Sequence, residues 1–318
     1  ALTFAPRLDL PSGVGGIPNA NDVAACDMTG DGRADLAVSH FGLGGSAPAN
    51  VTLLAQAADG TFSLPVQIGA ATEATSIICG ELTGDTRPDV VVSYGATTER
   101  IDLIAGTAAG PSGTPVHLPV FNPGDAPAPY CVIAVDIDGD GRNDLLESNR
   151  LGASPLSFYR ANSIRNPNDP TTAFIDAAKL DFGGEGNRPW VASGDLSGDG
   201  RVDLVTRDLD RPGFTVFLNA AANYTSPPDF WFARKSTTTP WGAGRVAIAD
   251  LNADGRNDIL VTETAPRTRL AVYLNVGQGD DGFPAFDAPR EFELGASAEM
   301  LATGDLDGDG RLDVVTAS

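Results

Sequence analysis

A nine-residue acidic segment returns six times along this chain, as DMTGDGRAD (27–35), ELTGDTRPD (81–89), DIDGDGRND (136–144), DLSGDGRVD (195–203), DLNADGRND (250–258) and DLDGDGRLD (305–313). Successive copies start 54, 55, 59, 55 and 55 residues apart. A period of that length means one supersecondary unit stacked repeatedly, each unit unable to bury its apolar face alone. The fold must therefore offer six equivalent places to the same short loop.

In the last copy the acids stand at positions 1, 3, 5 and 9, with Gly310 at position 6 to permit a sharp turn. Several carboxylate oxygens and a backbone carbonyl near position 7, converging inside one loop, suit a hard cation such as Ca2+. An EF-hand would need a bidentate Glu at position 12, where Thr316 stands, so this loop is shorter and of another kind. The candidate ligands are Asp27, Thr29, Asp31 and Asp35; Glu81, Thr83, Asp85 and Asp89; Asp136, Asp138, Asp140 and Asp144; Asp195, Ser197, Asp199 and Asp203; Asp250, Asn252, Asp254 and Asp258; and Asp305, Asp307, Asp309 and Asp313. Without an ion the same residues would be plain acidic turns. A repeated array favours the ion.

Short apolar segments flank every loop: VAAC and LAVS around the first, TSIIC and VVVS around the second, CVIAV and LLES around the third. Runs of about five such residues bounded by Gly, Asp and Pro read as strands, here called a and b, and near-continuous apolarity means that both faces are covered. A third strand, c, is expected at 51–55, 101–105, 156–160, 214–219 and 270–275, and a more polar fourth, d, at segments such as 62–68 and 286–294. Four antiparallel strands every 55 residues or so, repeated radially, make a β-propeller blade. The whole chain, 1–318, then reads as one all-β propeller domain of six blades, or as part of a seven-bladed one. Segment 4–10, FAPRLDL, matches the outer strand FDAPREFEL at 286–294, so the N-terminal strand is expected to close the last blade. The sixth repeat reaches Ser318 with strands a and b alone, so either that blade has three strands or the natural chain is longer.

Composition agrees. With 42% hydrophobic residues, 37 Gly and 23 Pro in 318 residues, the chain has material for a large core but is too turn-rich for a helical solenoid. A net charge of −21 argues against nucleic-acid and anionic-membrane partners, and no apolar run approaches a membrane-spanning length. The loops hold 20 of the 42 acidic residues, so six bound divalent ions would bring the net charge to about −9. Cys26, Cys79 and Cys131 precede three successive loops; each reads as a buried small hydrophobe, and an odd count leaves at least one thiol or an unseen partner.

The loop pattern D-x-[DNST]-x-D-G-x-x-D and the period together resemble the FG-GAP and VCBS repeats of integrin-α-like β-propellers, over all six repeats. The resemblance implies a calcium-binding propeller, commonly seven-bladed. The family spans adhesion receptors, lectins, lyase and dehydratase propellers, and many secreted bacterial proteins. Glu81 and Thr86 depart from the pattern, so the site at 81–89 is expected to be the weakest of up to six calcium sites.

No nucleophile elbow, H-E-x-x-H or Cys/His pairing is present, and the only histidines are His40 and His117. The chain is therefore expected not to be an enzyme. Basic and aromatic residues fall on the b–c and d–a connections, at the end of each blade opposite the loops: His40, Arg150, Arg188, Trp190, Arg207, Trp241 and Arg267, with Tyr94 and Arg100 nearby. Guanidinium forks and indole faces suit carboxylates and sugar rings, so a glycan or protein ligand is expected there. Alternatively, these arginines offset nearby carboxylates and the tryptophans fill gaps between blades. Three roles stay open: a calcium-stabilised extracellular binding or adhesion module, a structural subunit of a larger surface assembly using its C-terminal strand edge for a partner strand, and a polysaccharide-active enzyme domain. Loops tuned to millimolar calcium place the chain outside cells, in a periplasm or on a surface.

Overall fold

The computed structural model describes residues 20–40, 50–70, 74–95, 100–118, 129–149, 156–166, 168–180, 190–207, 212–220, 232–240, 242–263, 268–295, 298 and 300–317. Five antiparallel four-stranded sheets, each in the spatial order a-b-c-d, account for most of them. Sheet I is Ala20–Cys26, Asp35–His40, Asn50–Leu54 and Val66–Ala70; sheet II is Ala74–Gly80, Asp89–Tyr94, Arg100–Ile104 and Val116–Leu118. Sheet III is Pro129–Val135, Asp144–Asn149, Leu156–Ala161 and Phe174–Leu180; sheet IV is Val191–Gly194, Asp203–Arg207, Gly213–Asn219 and Phe232–Thr238. Sheet V is Ala243–Ala249, Asp258–Glu263, Arg269–Tyr273 and Arg290–Glu293, and a sixth a–b hairpin pairs Met300–Gly304 with Asp313–Ala317.

All six a–b hairpins close in one register, with the residue before each loop opposite the position-9 aspartate: Cys26 with Asp35, Gly80 with Asp89, Val135 with Asp144, Gly194 with Asp203, Ala249 with Asp258 and Gly304 with Asp313. The period of the sequence is thus a period of the backbone.

The chain forms two compact units. One comprises residues 3–135 and 141–184, with sheets I to III; the other comprises 185–318 with 136–140, and contains sheets IV and V and the sixth hairpin. In the first, side chains alternate along strand b of sheet II: Val90 and Val92 enter a core with Ala37, Val51 and Leu53 of sheet I, whereas Val91 enters one with Val132, Leu145 and Tyr159 of sheet III. A strand covered on both faces cannot afford a polar side, hence VVV. The second unit repeats the device, with Ile259 and Val261 packed on Val205 and Val216 while Leu260 faces Leu301 and Val314.

Two expectations need correction. Segment 286–294 is not one strand: Pro284–Phe286 pairs with Asn275–Gln278 in a separate small hairpin, and strand d is Arg290–Glu293. Cys26 and Cys79 are not independent apolar residues but a disulfide, Cα–Cα 6.4 Å, joining strands a of sheets I and II; Cys131 is buried, as expected. Segment 4–10, and with it the strand expected to close the last blade, lies outside the described residues.

The disulfide bridges a sequence separation of 53 residues. Loop closure of that length restricts the unfolded chain by about 4 kcal/mol. The Cys26→Ser/Cys79→Ser double variant should therefore lose up to about 4 kcal/mol in urea unfolding. An unchanged midpoint would show that the sulfurs are not bonded in the native protein.

Candidate metal centres

Each loop is drawn tight by its own acids. Residues at positions 4 and 6 take left-handed backbone, for example Gly308 (φ 75°) and Gly310 (φ 83°), which turns successive N–H groups inward onto the position-1 carboxylate. Asp305 accepts from Gly308 (2.7 Å) and Asp309 (3.1 Å) through Oδ1, and from Gly310 (2.9 Å) through Oδ2. Asp27, Asp195 and Asp250 accept in the same way. The N–H of Gly310 in one case, and of Gly32 in the other, holds the Asp305 and Asp27 carboxyls below the usual range.

In the first five loops the position-9 aspartate is buried and ties the loop to strand c. Asp203 accepts from Leu196 and Ser197 through Oδ2 (2.9 and 3.0 Å), and through Oδ1 from Asn219 (2.8 Å) at the end of strand c. Asp35, Asp144 and Asp258 reach Gln56, Ala161 and Asn275 in the same fashion. Burial pushes Asp89, Asp203 and Asp258 upward, and these N–H bonds pull the other way.

Two features of every copy escaped the motif reading. Position 7 is always arginine: Arg33, Arg201 and Arg256 each pair with the position-5 aspartate and donate Nε to a carbonyl ending strand c, at 2.9, 2.8 and 2.9 Å. Position 2 is always apolar, and Met28, Leu82, Ile137 and Leu196 are buried plugs under their loops. The signal was simple recurrence, visible once the copies are aligned.

In two loops the carboxylates converge. Ligand atoms of Asp136, Asp138 and Asp144, and those of Asp305, Asp307 and Asp309, lie within 4.8 Å of one another. These are the copies with aspartate at position 3. The first loop has Thr29 there, whose Oγ1 is buried without a partner. An all-oxygen donor set with an orphaned hydroxyl fits Ca2+, a hard cation that takes six to eight oxygens. The second loop does not fit: Thr83 Oγ1 is turned to Asp89 (3.3 Å), and Glu81 is bonded through both oxygens to protein groups.

Of the residues expected to bind a ligand, His40, Trp190 and Arg207 are described, and the Arg207 N–H donates to the Trp190 carbonyl (3.1 Å). His40 is not on a connection: it ends strand b of sheet I, fully buried, with Nε2 3.0 Å from Thr52 Oγ1. Trp190 lies half-buried under the Arg245 guanidinium, and Arg207 donates to the Gly244 carbonyl (3.4 Å). Arg150, Arg188, Trp241 and Arg267 lie outside the described residues. His117, which the sequence left without a role, has one here. Its Nδ1 is 2.6 Å from Oδ1 of Asp102, an aspartate 1% exposed that also meets Arg100 Nε at 2.8 Å. Arg100 and His117 line a groove of about 560 Å³ with Gln67, Ile68, Gly69, Gly113 and Pro115.

The description "FG-GAP-like repeat" matches residues 27–92 and 250–316. Those two segments are similar to FG-GAP-like repeats. No curated protein matches the chain in sequence. Among solved structures, a protein from Lactobacillus plantarum is similar at TM-score 0.52 and 11% identity, over 85% of this chain and 70% of the other. The periplasmic gluconolactonase of Pseudomonas aeruginosa is similar at TM-score 0.53 and 14% identity, over 93% and 72%. Both are propeller-like folds. The gluconolactonase overturns the expectation that the chain is not an enzyme: a fold that supports an enzyme elsewhere gives no ground for excluding one here. No helix among the described residues is long and apolar enough to cross a membrane.

Proposed function

We propose that the chain is a calcium-stabilised extracellular binding module, a six-bladed propeller whose N-terminal strand completes the last blade. The observation that carries this is the loop array, one register repeated six times, with carboxylates gathered in the third and sixth copies and an orphaned hydroxyl in the first. Calcium, when bound, supplies a hard dication that relieves repulsion among the loop carboxylates. Asp305, Asp307, Asp309 and Asp313, and their equivalents in the first, third, fourth and fifth loops, would hold it. The backbone N–H groups already on the position-1 acids orient those acids beforehand. The Cys26–Cys79 disulfide supports an oxidising location outside the cytosol.

The ligand is a glycan or protein bound at the sheet ends opposite the loops. Among the described residues, the groove that runs from Arg100, at that end of sheet II, along the outer strands of sheets I and II past His117 is suited to an anion, because it is lined by a guanidinium and an imidazole. Calorimetric titration in millimolar calcium with tetra-galacturonate, a Glu-rich peptide and neutral tetra-galactose tests this. Tighter binding of an anionic probe, weakened in His117→Ala, supports the reading; equal binding of all three, or an unaltered variant, overturns it. A hydrolytic reading has one observation in its favour: Asp102 holds Nδ1 of His117, which leaves Nε2 turned outward as a base. Release of shorter uronates during the same titration would decide for it.

A further inference from the structure

The second loop departs from its siblings twice in sequence, at Glu81 and Thr86. The c–d connection of sheet III is a hydrogen-bonded turn in which Asn162 Nδ2 donates to the Thr172 carbonyl (2.8 Å) and Asn166 N donates to Thr172 Oγ1 (2.8 Å) ahead of a short 3-10 turn at Pro170–Thr172. Arg165 projects from it onto the second loop. Its Nη2 is 3.1 Å from Glu81 Oε2, its side chain is only 13% exposed, and its Nη1 is buried without a hydrogen-bond partner. A Cβ placed on Gly84 would fall 2.5 Å from Arg165 Nε, so the guanidinium lies directly against the loop backbone at position 4.

The loop is arranged around that guanidinium. In the other copies the second oxygen of the position-1 acid takes the position-6 N–H, as Asp27 takes Gly32 (2.7 Å) and Asp195 takes Gly200 (2.8 Å). Glu81 instead receives Gly84 and Asp85 N–H on Oε1 and leaves Oε2 to Arg165. The longer Glu side chain is what reaches the arginine. The position-3 hydroxyl, unpartnered in the first loop, here donates to Asp89. Thr86 keeps a left-handed backbone, φ 72°, although a β-branched residue resists it. Three carboxylates, of Glu81, Asp85 and Asp89, are then faced by two guanidinium groups, Arg87 and Arg165.

We propose that Arg165 is the resident cation of the second loop, which closes without metal, so that the chain takes five calcium ions rather than six. The count rests on the reading of the other loops as calcium sites; the role of Arg165 does not. Two measurements separate them. Native mass spectrometry in saturating calcium should find five ions in the wild type and in Glu81→Gln, and four in Asp309→Asn; loss of an ion in Glu81→Gln overturns the proposal. Thermal unfolding of Arg165→Met should show a melting temperature lowered by a few degrees, by the same amount in calcium and in EGTA. A variant that melts with the wild type in both overturns the proposal. A wild type that binds no calcium defeats the calcium reading, and the EGTA comparison still decides what Arg165 does.

Discussion

Removal of calcium is expected to cost this protein about 7 kcal/mol of folding stability. Extracellular modules hold calcium with dissociation constants of about 0.1–1 mM, so at tenfold excess each site contributes about 1.4 kcal/mol, and five sites about 7 kcal/mol. A typical domain has only about 5–15 kcal/mol in total. The loops are placed for this to reach the fold, because each closes an a–b hairpin and in the first, third, fourth and fifth the position-9 aspartate joins that hairpin to strand c. An ion that tightens one loop therefore tightens three strands. Urea unfolding in 10 mM calcium and in EGTA should differ by that amount; a difference below about 1.5 kcal/mol, the share of a single site, would show that the loops fold without ions.

Much of the architecture was legible because its determinants are local. The a–b hairpins follow from apolar runs on either side of an eight-residue excursion, and the buried b strands follow from VVV and ILV, which have no polar side to offer to water. What was misread depends on neighbours in space. His40 looks like the first residue of a connection, yet strand b runs one residue further because Thr52 on strand c presents a hydroxyl to its ring. Cys26 and Cys79 sit one and two residues before their loops, an apparent mismatch, but strands a of consecutive sheets lie side by side and bring the two sulfurs together. The Asp102–His117 pair sits across strands c and d in register, 15 residues apart in sequence, with no local pattern to announce it.

The metal loops show the same division. Residue types and spacing announce the carboxylates, and the structure adds that several already have work of another kind. Asp31, Asp199 and Asp254 pair with the arginine two residues on, and the position-9 acids bridge to strand c. The motif, read as a ligand roster, hides this because hydrogen bonds to backbone N–H leave no trace in sequence.

Raising the pH from about 4.5 to 8 is expected to destabilise the protein most through Glu147. It lies on strand b of sheet III, Asp144–Asn149, every residue of which is buried. Its Oε2 is 3.5 Å from the Tyr159 hydroxyl, and its Oε1 is buried with no partner. Burial pushes its pKa from 4.5 up to about 8, against the pull of hydrogen bonds from Ser157 and Tyr159. The folded protein therefore keeps a proton that the unfolded chain releases above about 4.5. Stability from this group is complete below pH 4.5, falls by about 1.4 kcal/mol per pH unit, and levels off above pH 8 at a total loss of about 5 kcal/mol. Glu147→Gln retains the shape and cannot ionise, so the variant should match the wild type near pH 4.5 and exceed it by about 5 kcal/mol at pH 8 and above. The difference between the two unfolding curves isolates Glu147 from the loop acids, which titrate in both proteins. Parallel curves from pH 4.5 to 8 would mean that the carboxylate is charged in the fold, and a charge so deeply placed would then require a cationic partner within reach of Oε1.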